Sequence, residues 1–231
     1  MSAVLVLHPE LTDVNGDARN AAVLATRAGW AGVDVAVRSL HLGEEPTETP
    51  LAVVLGSTTD PALPRLLAAL HAVRDDLAGW IEDGVPVLAI GTGLEALTGG
   101  IRLPDGRLEG LGLVPGDAEP LAARVTGDLV VDAAEGRLVG YENHSRGLRL
   151  EPGVVPLGPV TRGVGDGRGV DGVRHGSVLG TRLHGPVLAK NPALADAILA
   201  QAFGRPIVPE GAAVAAADAA AKRIRDALLA S

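Results

Sequence analysis

Pro86-Val-Leu-Ala-Ile-Gly-Thr-Gly-Leu-Glu-Ala-Leu97 decides how the rest of the chain is read. An apolar run of strand type enters a glycine turn and passes at once into helix-forming residues, the pattern of a strand-turn-helix elbow. In such an elbow the tip residue stands clear of the sheet, and the first helical turn offers backbone N–H groups to a developing negative charge. The tip normally carries a nucleophile. Here it reads Gly91-Thr92-Gly93, and the chain has no cysteine. Thr92 lies one residue past the tip, and an alcohol has a far higher pKa than a thiol, so its expected role is a turn residue or helix N-cap.

Working outward, residues 3–8 form a nearly continuous apolar run, as expected for a strand buried on both faces of a parallel sheet. The Asn15-Gly16 turn and the helix-cap chemistry of Asp17 lead into a helix over about residues 18–29. Residues 33–37 read as a second strand, the acidic and proline-bearing segment 43–50 as an exposed loop, and residues 51–55 as a third strand ending in Gly56-Ser-Thr-Thr-Asp60. Leu66, Leu67, Leu70, Val73, Leu77 and Ile81 predict one long amphipathic helix over 61–83. Strand and helix thus alternate up to the elbow. The expected fold is α/β, a flavodoxin-like, doubly wound and mainly parallel sheet flanked by helices, which binds ligands outside the carboxyl ends of its strands.

Residues 99–180 have a different texture, with short strand-like runs at 121–125, 129–131, 137–141 and 178–181 between Gly and Pro turns. That segment is expected to be antiparallel or irregular. Asn191-Pro192 then opens a helix through Phe203, and a last helix over about 212–229 repeats Val214, Ala217, Ala221, Ile224 and Leu228 along a narrow seam. The expected organisation is a domain at 1–205 and a helical extension at 206–231 that packs on the domain or on a partner.

A formal charge of −8 and the absence of a Lys/Arg-rich run argue against nucleic acid as the main partner. No apolar run approaches the ~20 residues of a membrane span, and the start of the chain has no charged leader, so no membrane insertion is expected and the reading is a cytoplasmic protein. Gly91-x-Gly93-x-x-Ala96 formally matches a dinucleotide fingerprint, but Gly99-Gly100 cuts the helix short and the strand is the fourth of the fold. No P-loop is present, and the six histidines lack the pairing of zinc ligands, so no cofactor and no metal are expected. Two side chains stand out. His184, in Leu183-His184-Gly185-Pro186, ends a strand where an imidazole can reach an elbow, and the Arg124 guanidinium suits a carboxylate gripped by two hydrogen bonds. Asp166-Gly-Arg-Gly-Val-Asp171 reads as turn chemistry shaping a site rim.

Six segments recur together in order and spacing: Leu7-His-Pro-Glu-Leu-Thr-Asp-Val-Asn-Gly-Asp-Ala-Arg-Asn20, the elbow over residues 87–97, Arg124-Val-Thr-Gly-Asp128, Gly140-Tyr-Glu-Asn-His144, residues 163–172, and Gly180-Thr-Arg-Leu-His-Gly-Pro-Val-Leu-Ala-Lys-Asn-Pro192. Together they resemble the class I glutamine amidotransferases of the CobB/CobQ type, and within them the GatD-like branch, over about residues 3–204. The resemblance implies a thiolate at the elbow that attacks the glutamine side-chain amide, a histidine as base and acid, and an arginine on the substrate carboxylate. These roles fall on Gly91, His184 and Arg124. Thr92 and Gly93 take the elbow and oxyanion positions, and Gly56 and Ser57 stand in the substrate-binding loop after the third strand. The implied partner is a MurT-like Mur ligase that amidates a peptidoglycan precursor.

Because Gly91 has no side chain, the chain is expected not to hydrolyse glutamine by the family mechanism. The leading expectation is a degenerate subunit acting as scaffold, regulator or ammonia channel. Two alternatives stand beside it: a true glutaminase subunit whose Cys at position 91 has been substituted, and a binding module for glutamine or another small carboxylate.

Overall fold

A computed structural model describes residues 2–230. The chain runs β1 (Ala3–Leu7), α1 (Pro9–Thr12), α2 (Arg19–Trp30), β2 (Ala36–Leu40), β3 (Ala52–Leu55), a 3₁₀ turn (Asp60–Ala62), α3 (Leu63–Ala72), α4 (Arg74–Glu82), β4 (Val87–Ile90) and α5 (Thr92–Leu97). It continues through β5 (Gly100–Leu103), β6 (Gly106–Glu109), β7 (Gly116–Ala133), β8 (Gly136–Leu150), β9 (Gly158–Arg162), β10 (Val170–Asp171), β11 (Val173–His175) and β12 (Val178–Thr181), and ends in α6 (Val187–Lys190), α7 (Pro192–Phe203) and α8 (Ala212–Ala230).

The main sheet has the order β11-β12-β4-β3-β1-β2, with β2, β1, β3, β4 and β12 mutually parallel and β11 antiparallel at one edge. This is the expected flavodoxin-like winding, with the reversal of strand order between β1 and β3. Alternate residues explain the unbroken apolar runs. Val4, Val6, Val54, Leu88 and Ile90 pack on one face with α2 and α7, while Leu7, Val53, Leu55, Val87 and Ala89 pack on the other with α3 and α4.

Three sequence expectations change. The helix expected over 61–83 is broken at Val73, which sits at φ −115°, ψ 17°. Val73 N–H turns back to Leu70 O, and Arg74 Nε donates to Leu111 O across the break. The apolar spacing continues through the bend, with Leu66, Leu70, Val73, Leu77 and Trp80 all buried, so periodicity alone does not reveal it. The second strand starts at Ala36 rather than near 33, because Val33 N–H is still held by Ala28 O at the end of α2.

The third change is the largest. The short runs read between 121 and 141 are parts of two long antiparallel strands, β7 and β8, which belong to a second sheet ordered β10-β9-β7-β5-β6 with β8 on β7. Two of the glycines there serve close approach instead of a turn. A Cβ at Gly147 or Gly158 would overlap the backbone of Asp166 or Asp132. The pairing of β7 and β8 is interrupted between Pro120 and Val125, which places Arg124 in the irregular stretch. Residues 178–181, read with the antiparallel half, pair in parallel with β4.

At the C-terminus, Val214 and Ala221 of α8 are buried, and Arg27 bridges Asp196 of α7 and Asp218 of α8 at 2.7 Å each. Ile224 of the same seam remains exposed. Among the described residues no helix is long and apolar enough to cross a membrane.

Candidate functional site

β4 ends at Ile90, and α5 begins two residues later, so the turn must be made at one position. Gly91 makes it at φ 55°, ψ −120°, backbone that is strained for any residue with a Cβ. Its N–H is held by Thr181 O at 2.9 Å. Gly93 lets α5 start against β3, since a Cβ there would lie 2.5 Å from Gly56 O and 2.7 Å from Leu55 O. Thr92 is tied to the loop after β3, its hydroxyl accepting Thr58 N–H at 2.6 Å and donating to Thr58 O at 3.1 Å. The hydroxyl therefore clamps two elements together, in place of the N-cap role expected for it; the N-cap is Gly91.

His184 follows β12 and is fixed through both backbone and ring. Its N–H donates to Tyr141 O at 2.9 Å, and the ring is buried against Tyr141, centroids 5.5 Å apart. Nδ1 lies 3.3 Å from Asp17 Oδ1 and 3.3 Å from Asn15 Nδ2. The far edge of the ring faces the elbow tip, with Nε2 3.2 Å from where a Cβ of residue 91 would be. Asp17 is thus not the helix cap expected from the sequence. Asp13 Oδ1 holds Ala18 N–H at the start of α2, while the buried Asp17 carboxylate is divided between His184 and Ser57 N–H, 3.0 Å away.

A pocket of about 240 Å³ opens over the tip. Gly91, Thr92, Ser57, His184 and Arg124 all line it. Gly56 and Gly93 lie behind its wall, Gly56 so close to Thr12 O and Asp17 that no side chain fits. Arg124 Nη2 donates to Asn143 Oδ1 at 2.6 Å, which leaves most of its donor fork for a ligand.

The floor is ionic. Glu95, fully buried, accepts Arg146 Nε at 2.7 Å and Arg182 Nη1 at 2.6 Å. Arg146 also grips Asp60 through two hydrogen bonds of 2.6 and 3.0 Å, and these outweigh burial and hold the Asp60 carboxyl below its ordinary range. Burial opposes the charge on Arg146 and Arg182, but the facing carboxylates prevail and raise both. Asp166 and Asp171, expected at a site rim, are buried and line no part of this pocket. Asp166 Oδ1 lies 3.2 Å from Arg182 Nε, and Asp171 Oδ2 accepts the Thr181 hydroxyl at 2.7 Å. Burial pushes both carboxyls up; Asp171, with Asp166 adding to the effect, reaches about 7. His144 is engaged on both sides, by Glu142 Oε2 at 3.0 Å and Arg146 O at 2.8 Å. Among the described residues no group of His, Cys, Asp and Glu is arranged to hold a metal ion.

Chemically the arrangement offers a guanidinium for a carboxylate, an imidazole oriented by Asp17, and no atom at the tip to attack a carbonyl. Sequence reasoning missed Asp17, Asn15, Glu95 and Arg146. Asp17 had one usable signal: its loop leaves β1 at the topological switch point, where open sheets bind ligands. Glu95 had another, an acid inside the apolar pattern of α5 that needs a buried partner.

Residues 6–192 match the CobB/CobQ-like glutamine amidotransferase domain. This chain belongs to the CobB/CobQ-like glutamine amidotransferase family. It is 39% identical over 144 residues to subunit GatD of the glutamine-hydrolysing lipid II isoglutaminyl synthase of Staphylococcus aureus, a match covering 61% of this chain and 58% of that relative. With the GatD subunit of Streptococcus pneumoniae the identity is 27% over 204 residues, 85% of this chain and 78% of the relative. Among solved structures, a glutamine amidotransferase superposes with a TM-score of 0.61 at 18% identity, covering 86% of this chain and 98% of its own. The PurLQS structure from Thermotoga maritima gives 0.59 at 15%, covering 88% and 96%. These two show the amidotransferase fold.

Proposed function

We propose that this chain is a GatD-like amidotransferase subunit that has lost glutaminase chemistry while keeping its binding side, and that it serves a MurT-like Mur ligase in the cytoplasm as scaffold, regulator or ammonia channel. The observation that carries the reading is Gly91 at the elbow tip of a chain without cysteine, beneath an assembled Asp17–His184 pair and an available Arg124. A covalent glutamyl intermediate needs a side-chain nucleophile at that position, and removing the nucleophile from such a site costs about 10⁶ in turnover. The names of the two GatD relatives support a role in lipid II amidation. Residues 1–205 form the amidotransferase unit in this reading, and 206–231 a helical extension whose exposed Ile224 side is free for the partner.

The test is co-purification of the tagged protein from its native cells, with mass spectrometry of the bound proteins and a glutaminase assay on the same fraction. A Mur-ligase-like partner without glutamine turnover is the expected result. Turnover that depends on this chain contradicts it.

Arg124 and Asn143 at the pocket mouth favour a second reading, a binding module for glutamine or a related small carboxylate. Calorimetric titration separates the two. Heat with glutamine or glutamate that disappears in Arg124→Ala supports the binding module, and no heat leaves the scaffold.

A further inference from the structure

We infer that Ser57 has taken over the space that residue 91 gave up, so that the two positions form a complementary pair and the tip is closed to a side chain at 91. The inference rests on the reading of Gly91 as the vacated nucleophile position and adds a residue that fixes the loss.

A Cβ at Gly91 would overlap Ser57 Oγ and would lie 2.7 Å from His184 Cε1. Neither neighbour is free to retreat. Ser57 is buried, its hydroxyl donates to Ile90 O at 3.1 Å, and its N–H is held by Asp17 at 3.0 Å. The next residue is pinned as well, Thr58 N–H donating to the Thr92 hydroxyl at 2.6 Å. His184 is held by Tyr141 through the backbone and by Asp17 through the ring. A side chain at 91 can therefore enter only if the His184 ring shifts and Ser57 rotates and abandons Ile90 O, leaving polar groups unpaired in a buried place. With glycine at 91 the serine hydroxyl fits and is satisfied. A site from which one cysteine had merely been removed would instead keep open room for its Cβ.

The test is a double-mutant cycle on the full chain, read by thermal unfolding. In the natural chain Ser57→Ala removes the hydrogen bond to Ile90 O, and Tm falls by about 2–4 °C. In the Gly91→Ala background the same substitution relieves the overlap, and Tm rises. The reversal of sign is the expected result, and equal shifts in the two backgrounds overturn the inference. If Gly91→Ala alone does not fold, folding of the Gly91→Ala/Ser57→Ala chain supports the pair, and failure of both overturns it. The glycine backbone strain is common to both arms and cancels.

A second readout uses thiol chemistry. Gly91→Cys and Gly91→Cys/Ser57→Ala are treated with an electrophilic glutamine analogue, and adduct formation at residue 91 is followed by intact mass. Labelling of the double variant at least about tenfold faster is expected, on the steric ground that only there is the overlap with Ser57 Oγ relieved; equal rates overturn the inference. Glutamine turnover by the natural chain would defeat the proposed function, yet the sign of the thermal cycle would still report on the pair.

Discussion

Glu95 and Arg182 are both fully buried and face each other at 2.6 Å, with Arg146 and Asp166 completing the charge balance. Taking two charges out of water is costly, and such a pair is stabilising mainly in the sense that losing one member is worse than keeping both. Arg182→Met would leave Glu95 with Arg146 alone and deprive Asp166 of its cation. The expected loss is about 3–5 kcal/mol, measured by urea unfolding; a loss under about 1 kcal/mol would show that the lattice is not held by this arginine. Asp171 gives a second prediction. Burial raises its carboxyl from an ordinary 3.8 to about 7, so between those values the unfolded chain has released a proton that the folded chain retains. This group's contribution to stability is therefore greatest at low pH and declines as pH rises from about 4 to about 7. An amide at that position can still accept the Thr181 hydroxyl and the Arg182 N–H. Asp171→Asn should flatten the decline, seen as a smaller difference between denaturant midpoints at pH 5 and pH 8. An unchanged difference would mean that Asp171 does not hold its proton.

At the scale of elements, the packing of α5 on β3 depends on one absent carbon. Gly93→Ala places a Cβ 2.5 Å from Gly56 O, and backbone on both sides cannot give way cheaply. The expected cost is about 1–3 kcal/mol. Gly79 in α4 is the contrasting case, since a Cβ there meets nothing within 4 Å. Gly79→Ala should stabilise by about 0.5–1 kcal/mol through helix propensity alone. Thermal unfolding of the two variants side by side should give shifts of opposite sign, and a common sign would refute the packing account. The same contrast explains what the sequence made legible. β1, β3, β4 and α7 were readable because both-face burial leaves continuous apolar runs and Asn191-Pro192 marks a helix start. The break at Val73 was not, because a bend that preserves the buried stripe leaves the period intact. The length of β7 and β8 was hidden because Gly127, Gly140 and Gly147 stand inside the strands yet look like turns in a one-dimensional reading.

For the whole molecule, the doubly wound order follows from alternation of strand and helix, and it places the loops after β1, β3, β4 and β12 at one edge of the sheet. Gly91 and His184 could be placed at that edge in advance, as an elbow tip and a strand end, whereas Arg124, in the irregular stretch of β7, was assigned to the site through the family resemblance. Asp17 and the Glu95–Arg146–Arg182 lattice could not, because their partners lie on distant segments that only the folded chain juxtaposes. The result is a pocket lined by the Arg124 guanidinium and an imidazole oriented by Asp17, around a tip without a nucleophile. Loss of the covalent chemistry is read directly from glutamine turnover by the purified chain with its co-purified partner, with intact mass recorded after exposure to an electrophilic glutamine analogue. The expected result is no ammonia release above that of a His184→Ala control and no added mass on the chain. Turnover that His184→Ala abolishes, or a glutamyl adduct on any residue of the pocket, would contradict it.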